Sequence, residues 1–165
     1  MAAKTFSSQK STDLTAFYNQ LPSEKLPDIP SYITDNLRHQ LRPYQALAIK
    51  RFLHYLKHQN SPEFATTNRH LLFQLATGSG KTLIMAALIL ELYHQGFSNF
   101  LFFVNNTNIL TKTRDNFANP LSPKYLFKDP IIINSYPVKI RAVQNFPNPF
   151  MSSDHHINIL FTTIQ

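Results

Sequence analysis

An apolar run, His70-Leu-Leu-Phe-Gln-Leu75, leads straight into Ala76-Thr77-Gly78-Ser79-Gly80-Lys81-Thr82, and that turn leads into the apolar stretch Leu83 to Leu90. The chain has only three glycines, and two of them sit in this one turn. The order strand, glycine-rich turn, Lys-Thr, helix constrains the fold more than any other feature. Glycines allow backbone dihedrals that a Cβ would forbid, so successive N–H groups can curl around an anion. The helix that follows aims the positive end of its dipole at the same point. Lys81 supplies a point charge for phosphates and Thr82 a hydroxyl for a magnesium ion. The bland alternative, a glycine turn that merely joins strand to helix, explains neither the Lys-Thr pair nor the second glycine. The motif is incomplete in one respect: the usual first glycine, six positions before the lysine, is Leu75 here.

The remaining elements follow from periodicity. Leu14 to Gln20 predicts a short helix, and the proline-rich LPSEKLPDIP an extended connector. Pro43 opens a helix that runs to about Gln59, with Tyr44, Leu47, Ala48, Phe52, Tyr55 and Leu56 at helical spacing. His70 to Leu75 reads as a buried strand. A helix follows from Lys81 to about Gln95, with Gly96 as its C-terminal cap. Asn99 to Val104 reads as a second buried strand, and Thr107 to Ala118 as a helix capped by Asn106 or Thr107. Ile131 to Ile133 and Ile157 to Thr163 complete the set, with QNFPNPFMSSDHH as a loop between them. Continuous apolar strands alternating with helices indicate an α/β fold: a mostly parallel sheet with helices on both faces.

Composition narrows the function. The 165 residues carry 43% hydrophobic side chains, a globular composition, and sixteen Lys and Arg against nine Asp and Glu give a formal charge of +7. That excess suits a polyanion such as nucleic acid, although many basic proteins bind none. There is no cysteine, so disulfides and thiolate metal sites are excluded. The N-terminus lacks an apolar core of signal-peptide length, and the longest apolar run is too short to span a bilayer. A soluble, cytoplasmic protein without a membrane partner is the expectation.

The phosphate loop does not stand alone. Leu41-Arg42-Pro43-Tyr44-Gln45 lies upstream of it, and LFFVNNTNIL (Leu101 to Leu110) and ILFTTIQ (Ile159 to Gln165) lie downstream. With Leu75 to Thr82, these segments resemble, in order and spacing, the ATP-dependent motors of helicase superfamily two. The phrasing between them, TKTRDNF and SPKYLF included, is most similar to the Res subunit of type III restriction enzymes. The resemblance implies an incomplete RecA-like P-loop NTPase lobe. Residues 1–33 would be tail and connector, and residues 34–165 the front of the first lobe, truncated before the Asp-Glu motif. It also implies ATP and magnesium as cofactors, DNA as the track, and a methyltransferase subunit as partner of the full-length restriction endonuclease.

Carried onto this chain, nucleotide contacts fall on Gln45, Thr77, Gly78, Ser79, Gly80, Lys81 and Thr82, with Gln45 reading adenine and Thr82 touching magnesium. DNA-phosphate contacts fall on Asn105, Asn106, Thr107, Thr162 and Thr163. The alternatives are an N-cap for Asn105 to Thr107 and strand filler for the threonines. Arg42 would stack on the base or lie solvated. His54 and His58 share a helix face but lack a third ligand, so they read as a solvated pair; His155 and His156 read as loop. No catalytic residue is assigned. The nine acidic residues are isolated, and Asp154 precedes a strand, on the wrong side of the sheet for a magnesium carboxylate. The fragment is therefore expected to bind nucleotide and DNA weakly without hydrolysing ATP. Three rivals stand beside this reading. One is another superfamily-two motor, of type I restriction or repair. The second is a small-molecule kinase, which should carry an arginine lid. The third is a non-enzymatic DNA-binding module.

Overall fold

The computed structural model describes residues 14–61, 64, 70–147 and 155–163. Five α-helices and four strands lie among them: α1 Leu14–Gln20, α2 Ser31–Thr34, α3 Pro43–His58, α4 Lys81–His94, β1 Asn99–Val104, α5 Thr107–Ala118, β2 Ile131–Ile133, β3 Tyr136–Val143 and β4 His156–Thr163. The sheet order is β1-β4-β3-β2. β1 and β3 both pair parallel to β4, and β2 pairs antiparallel to β3. The fold is a mixed α/β lobe with a mostly parallel sheet, as the alternating pattern predicts.

One sheet face is closed by aromatic packing. The register sets Phe100 beside Ile159 and Phe102 beside Phe161. Phe117 of α5, fully buried, reaches both rings of the second pair, with centroids 5.8 Å from Phe102 and 6.4 Å from Phe161. α4 joins the same core through Leu83, Ile84, Ala86, Ala87, Ile89 and Leu90. That helix is apolar nearly all round, as a helix enclosed by its neighbours should be. Its C-terminus ends at Gly96, whose φ of +98° is the left-handed conformation that lets Phe97 N reach Leu92 O.

β3 is absent from the sequence reading, although its alternation was there to find. Val138, Ile140 and Ala142 interleave with Lys139 and Arg141. Asn134 and Ser135 both adopt positive φ, 52° and 69°, and form the two-residue turn that folds β3 back on β2. Pro137 is tolerated because its pairing with β4 would begin only two residues later, at Lys139. The outer edge of β2 is covered by one buried side chain. Asn36 accepts from Ile132 N at 2.7 Å and donates to Ile132 O at 2.7 Å, standing in for a ladder partner.

The largest departure from expectation is at His70 to Leu75. No described strand pairs with this segment, which is extended but outside the sheet. Leu71, Phe73 and Leu75 turn inward, Phe73 against Phe52 with ring centroids 6.2 Å apart, while Leu72 is 91% exposed. A strand buried on both faces needs ladder neighbours on both sides, and β1 ends the sheet as an edge. β1 itself leaves Leu101 and Phe103 about half exposed.

Residues 14–33, expected as tail and connector, pack on the body. Ile33 is fully buried in the main core, and α1 docks on α3 through a second cluster of Tyr18, Leu26, Tyr55 and Phe64. His54 is correspondingly not solvated: it is buried, bonds the Tyr18 hydroxyl at 3.2 Å and stacks on His58 at 4.2 Å. The reason is α1, which covers the face that helical periodicity alone leaves open. Among the described residues no cluster of His, Asp and Glu could hold a metal ion. Burial pushes the Tyr18 phenol from its ordinary 10.0 up to about 12, partly opposed by the nearby Arg51 cation. Because the folded value is the higher one, α1 docking should be fully present below pH 10 and fall away between pH 10 and 12. Alkaline titration followed by tyrosinate absorbance would check this; ionisation of Tyr18 at its ordinary value would contradict it.

Candidate nucleotide and nucleic-acid site

The glycine turn takes the conformation its glycines permit. Gly78 and Gly80 have φ of +80° and +75°, and α4 begins at Lys81 directly after the second. A Cβ at Gly78 would meet nothing within 4 Å, so that glycine is required by backbone conformation alone. Gly80 is required twice. Besides its positive φ, a Cβ there would lie 2.5 Å from Gln45 Nε2.

Two residues in the first turn of α3, Tyr44 and Gln45, hold the loop from outside, and Arg42 just before the helix braces both. Gln45 is buried, and both ends of its carboxamide are engaged. Its Oε1 accepts from Arg42 N at 2.9 Å, and its Nε2 donates to Ser79 O at 2.8 Å. The Tyr44 hydroxyl donates to the same Ser79 carbonyl at 2.8 Å and accepts from Arg42 Nη1 at 3.2 Å. Local sequence explains the arrangement: Pro43 fixes the first turn of α3, from which Tyr44 and Gln45 reach the loop. Sequence reasoning picked out Gln45 and left Arg42 undecided, but it missed Tyr44 as a loop contact. LRPYQ gives no signal for it, because the periodicity counts Tyr44 with the apolar residues of the helix.

Lys81 folds back over the loop, and its ammonium donates to Leu75 O at 3.1 Å and Ala76 O at 2.9 Å. Two of its three protons are so used, which leaves one for an anion. Ser79 Oγ is buried with no hydrogen-bond partner. An orphan hydroxyl, a lysine resting on exchangeable backbone carbonyls and two left-handed glycines before a helix fit a phosphate ligand. Thr82 is the second residue of α4 and is half-buried. Thr77 is exposed at the mouth of the turn.

The second group of candidate residues collects along one sheet edge. The parallel register pairs Phe103 with Thr162 and Val104 with Thr163. The carboxyl ends of β1 and β4 therefore lie side by side, and Asn105, Asn106 and Thr107 continue from the first of them. Asn106 is the helix cap: its Oδ1 accepts from Asn108 N at 2.7 Å. Asn105 and Thr107 are exposed, and Thr162 and Thr163 are half-buried. The phosphate loop lies toward the same edge, because α4 starts at the loop and reverses through Gly96 into β1. Fourteen helical and six extended residues have nearly equal rise, ~20 Å each. Asp154, Ile164 and Gln165 lie outside the described residues.

Comparison with known proteins identifies relatives of this sequence. The family described as "Type III restriction enzyme, res subunit" matches residues 38–165. A curated relative in Haemophilus influenzae, the "Probable type III restriction-modification enzyme HindVIP Res subunit", is 39% identical over 140 residues, which are 83% of this chain. The aligned part is 26% of that relative, so the chain spans about a quarter of its length. No solved structure matches. The left-handed glycine loop before α4 and the parallel α/β lobe thus sit on a sequence matched over most of its length, and the chain belongs to the family of type III restriction enzyme Res subunits.

Proposed function

We propose that this chain is the nucleotide-binding front of an ATP-dependent DNA translocase subunit in a type III restriction endonuclease. The observation that carries the reading is the phosphate loop: Gly78 and Gly80 at positive φ, Lys81 folded over the turn and Ser79 Oγ without a partner. ATP with magnesium is the ligand this arrangement suits, with Thr77 to Thr82 around the phosphates and Gln45 toward the base. Titration calorimetry with magnesium-ATP on the native chain and on Lys81→Ala tests it. Removing the ammonium should weaken binding by at least ~tenfold, the scale of one charge-assisted hydrogen bond. Equal affinity in the two proteins would sink the proposal.

DNA is the second ligand. Asn105, Asn106, Thr107, Thr162 and Thr163 lie along one sheet edge and suit phosphates rather than bases. The +7 charge supports the same partner. Affinity should fall steeply with salt and hardly change between unrelated sequences. Anisotropy titrations with two DNA duplexes over a salt series would check this, and the Thr162→Ala/Thr163→Ala protein should bind less tightly. A flat salt response would count against it. A modification methyltransferase as partner and a cytoplasmic location belong to the same proposal. No described helix is long and apolar enough to cross a membrane.

A further inference from the structure

We infer that Tyr44 is the positioning residue that keeps the phosphate loop in shape when nucleotide is bound, because Gln45 must then let go of it. The inference rests on the nucleotide reading above. Ser79 O accepts from two side chains at once, Tyr44 Oη and Gln45 Nε2, each at 2.8 Å. A carbonyl has two lone pairs, so both bonds form together without competition. The peptide between Ser79 and Gly80 is planar and trans. Drawing its carbonyl toward α3 therefore turns the Gly80 N–H the opposite way, away from α3 and into the turn. The two donors set the direction of a backbone donor that a phosphate would use.

The two donors are not equivalent. Gln45 is only 3% exposed, its Oε1 is held by Arg42 N, and its Nε2 is spent on Ser79. One N–H and one lone pair remain unused, but a carboxamide buried to that degree presents almost no surface to a base. To reach adenine it must turn outward, and turning gives up Ser79 O, Arg42 N or both. Tyr44 has no such second task. Tyr44 lies 39% exposed on the rim, and its hydroxyl accepts a hydrogen bond from Arg42 Nη1 while donating one to Ser79 O. A hydroxyl that accepts from a cation is a stronger donor. In the empty loop Tyr44 and Gln45 are redundant. With ATP bound, Gln45 turns to the base and Tyr44 alone holds the Ser79 carbonyl.

The consequence is a selectivity that a merely structural tyrosine would not produce. Pyrophosphate has no base, so it leaves Gln45 on Ser79, and Tyr44→Phe should change pyrophosphate affinity by less than ~twofold. ATP draws Gln45 away, and the same variant should bind ATP roughly three- to tenfold more weakly, the value of one hydrogen bond. Calorimetry of both proteins with both ligands, each with magnesium, reads the split. A second measurement guards against a folding artefact. In the 15N-labelled chain saturated with ATP, the Gly80 amide signal should stay single in the native protein and broaden or split in Tyr44→Phe. Equal loss of both ligands, no loss of ATP, or an unchanged Gly80 signal would overturn the inference while leaving the nucleotide reading intact. Binding of neither ligand by the native chain would overturn that reading, and this one with it.

Discussion

Gly80→Ala should abolish measurable phosphate binding and destabilise the fold more than Gly78→Ala does. Both positions hold positive φ, +80° at Gly78 and +75° at Gly80, so either substitution forces an L-residue into the left-handed region. That strain costs about 1–2 kcal/mol. Space separates the two. The new methyl at position 78 meets nothing within 4 Å, whereas at position 80 it falls 2.5 Å from Gln45 Nε2. The carboxamide must then move off Ser79 O. It cannot do so without disturbing its bond to Arg42 N, and each bond is worth ~1 kcal/mol net. The sum is about 3–4 kcal/mol for Gly80→Ala against about 1–2 for Gly78→Ala. An L-residue at position 80 also relaxes away from φ +75°, which turns its own N–H and the start of α4 at Lys81 out of line even with Tyr44 still on Ser79 O. Urea unfolding of the two variants, with pyrophosphate titration of each, is the measurement. Equal stability losses would mean that the close approach of Gln45 does not limit position 80.

Phe117→Ala should cost more stability than any surface change in the chain. Phe117 is fully buried at the junction of α5 with the sheet, and its ring lies 5.8 Å from Phe102, 6.0 Å from Phe127 and 6.4 Å from Phe161. Those neighbours sit on β1, on β4 and in the loop before β2, so they cannot collapse together into the space it leaves. Truncating a phenylalanine in such a site typically costs about 3–5 kcal/mol. Domains of this size have ~5–15 kcal/mol in all, so the variant should lie near the edge of folding. Its thermal midpoint should drop by at least ~10 °C. Leu121→Ala is the control, because Leu121 is 93% exposed and its loss should stay within ~0.5 kcal/mol. A Phe117→Ala protein that melts with the native one would show that α5 is not what closes the sheet face.

What the sequence by itself determined was local. The bounds of α1, β1 and α5 follow from helical and strand periodicity, a cap at Asn106 or Thr107 from the rule for helix starts, and Gly96 from the rule for helix ends; the bond to Asn108 N decides for Asn106. The glycine turn before α4 was legible because positive φ at glycine and a helix start are properties of adjacent residues. The family, too, was legible, since it is carried by short segments in order. Tertiary structure decided everything that depends on what a segment meets. His70 to Leu75 has the composition of a buried strand, yet strand formation requires ladder partners, and none of the described strands supplies them. His54 lies on a helix face that a helical wheel leaves open and that α1 covers. Asn36 was one polar residue among many until the edge of β2 arrived beside it. Tyr44 and Gln45 meet Ser79 across more than thirty residues of chain. Periodicity reports which way a side chain points within its own element, and hydrogen-bond partners at that separation are fixed only when the elements pack.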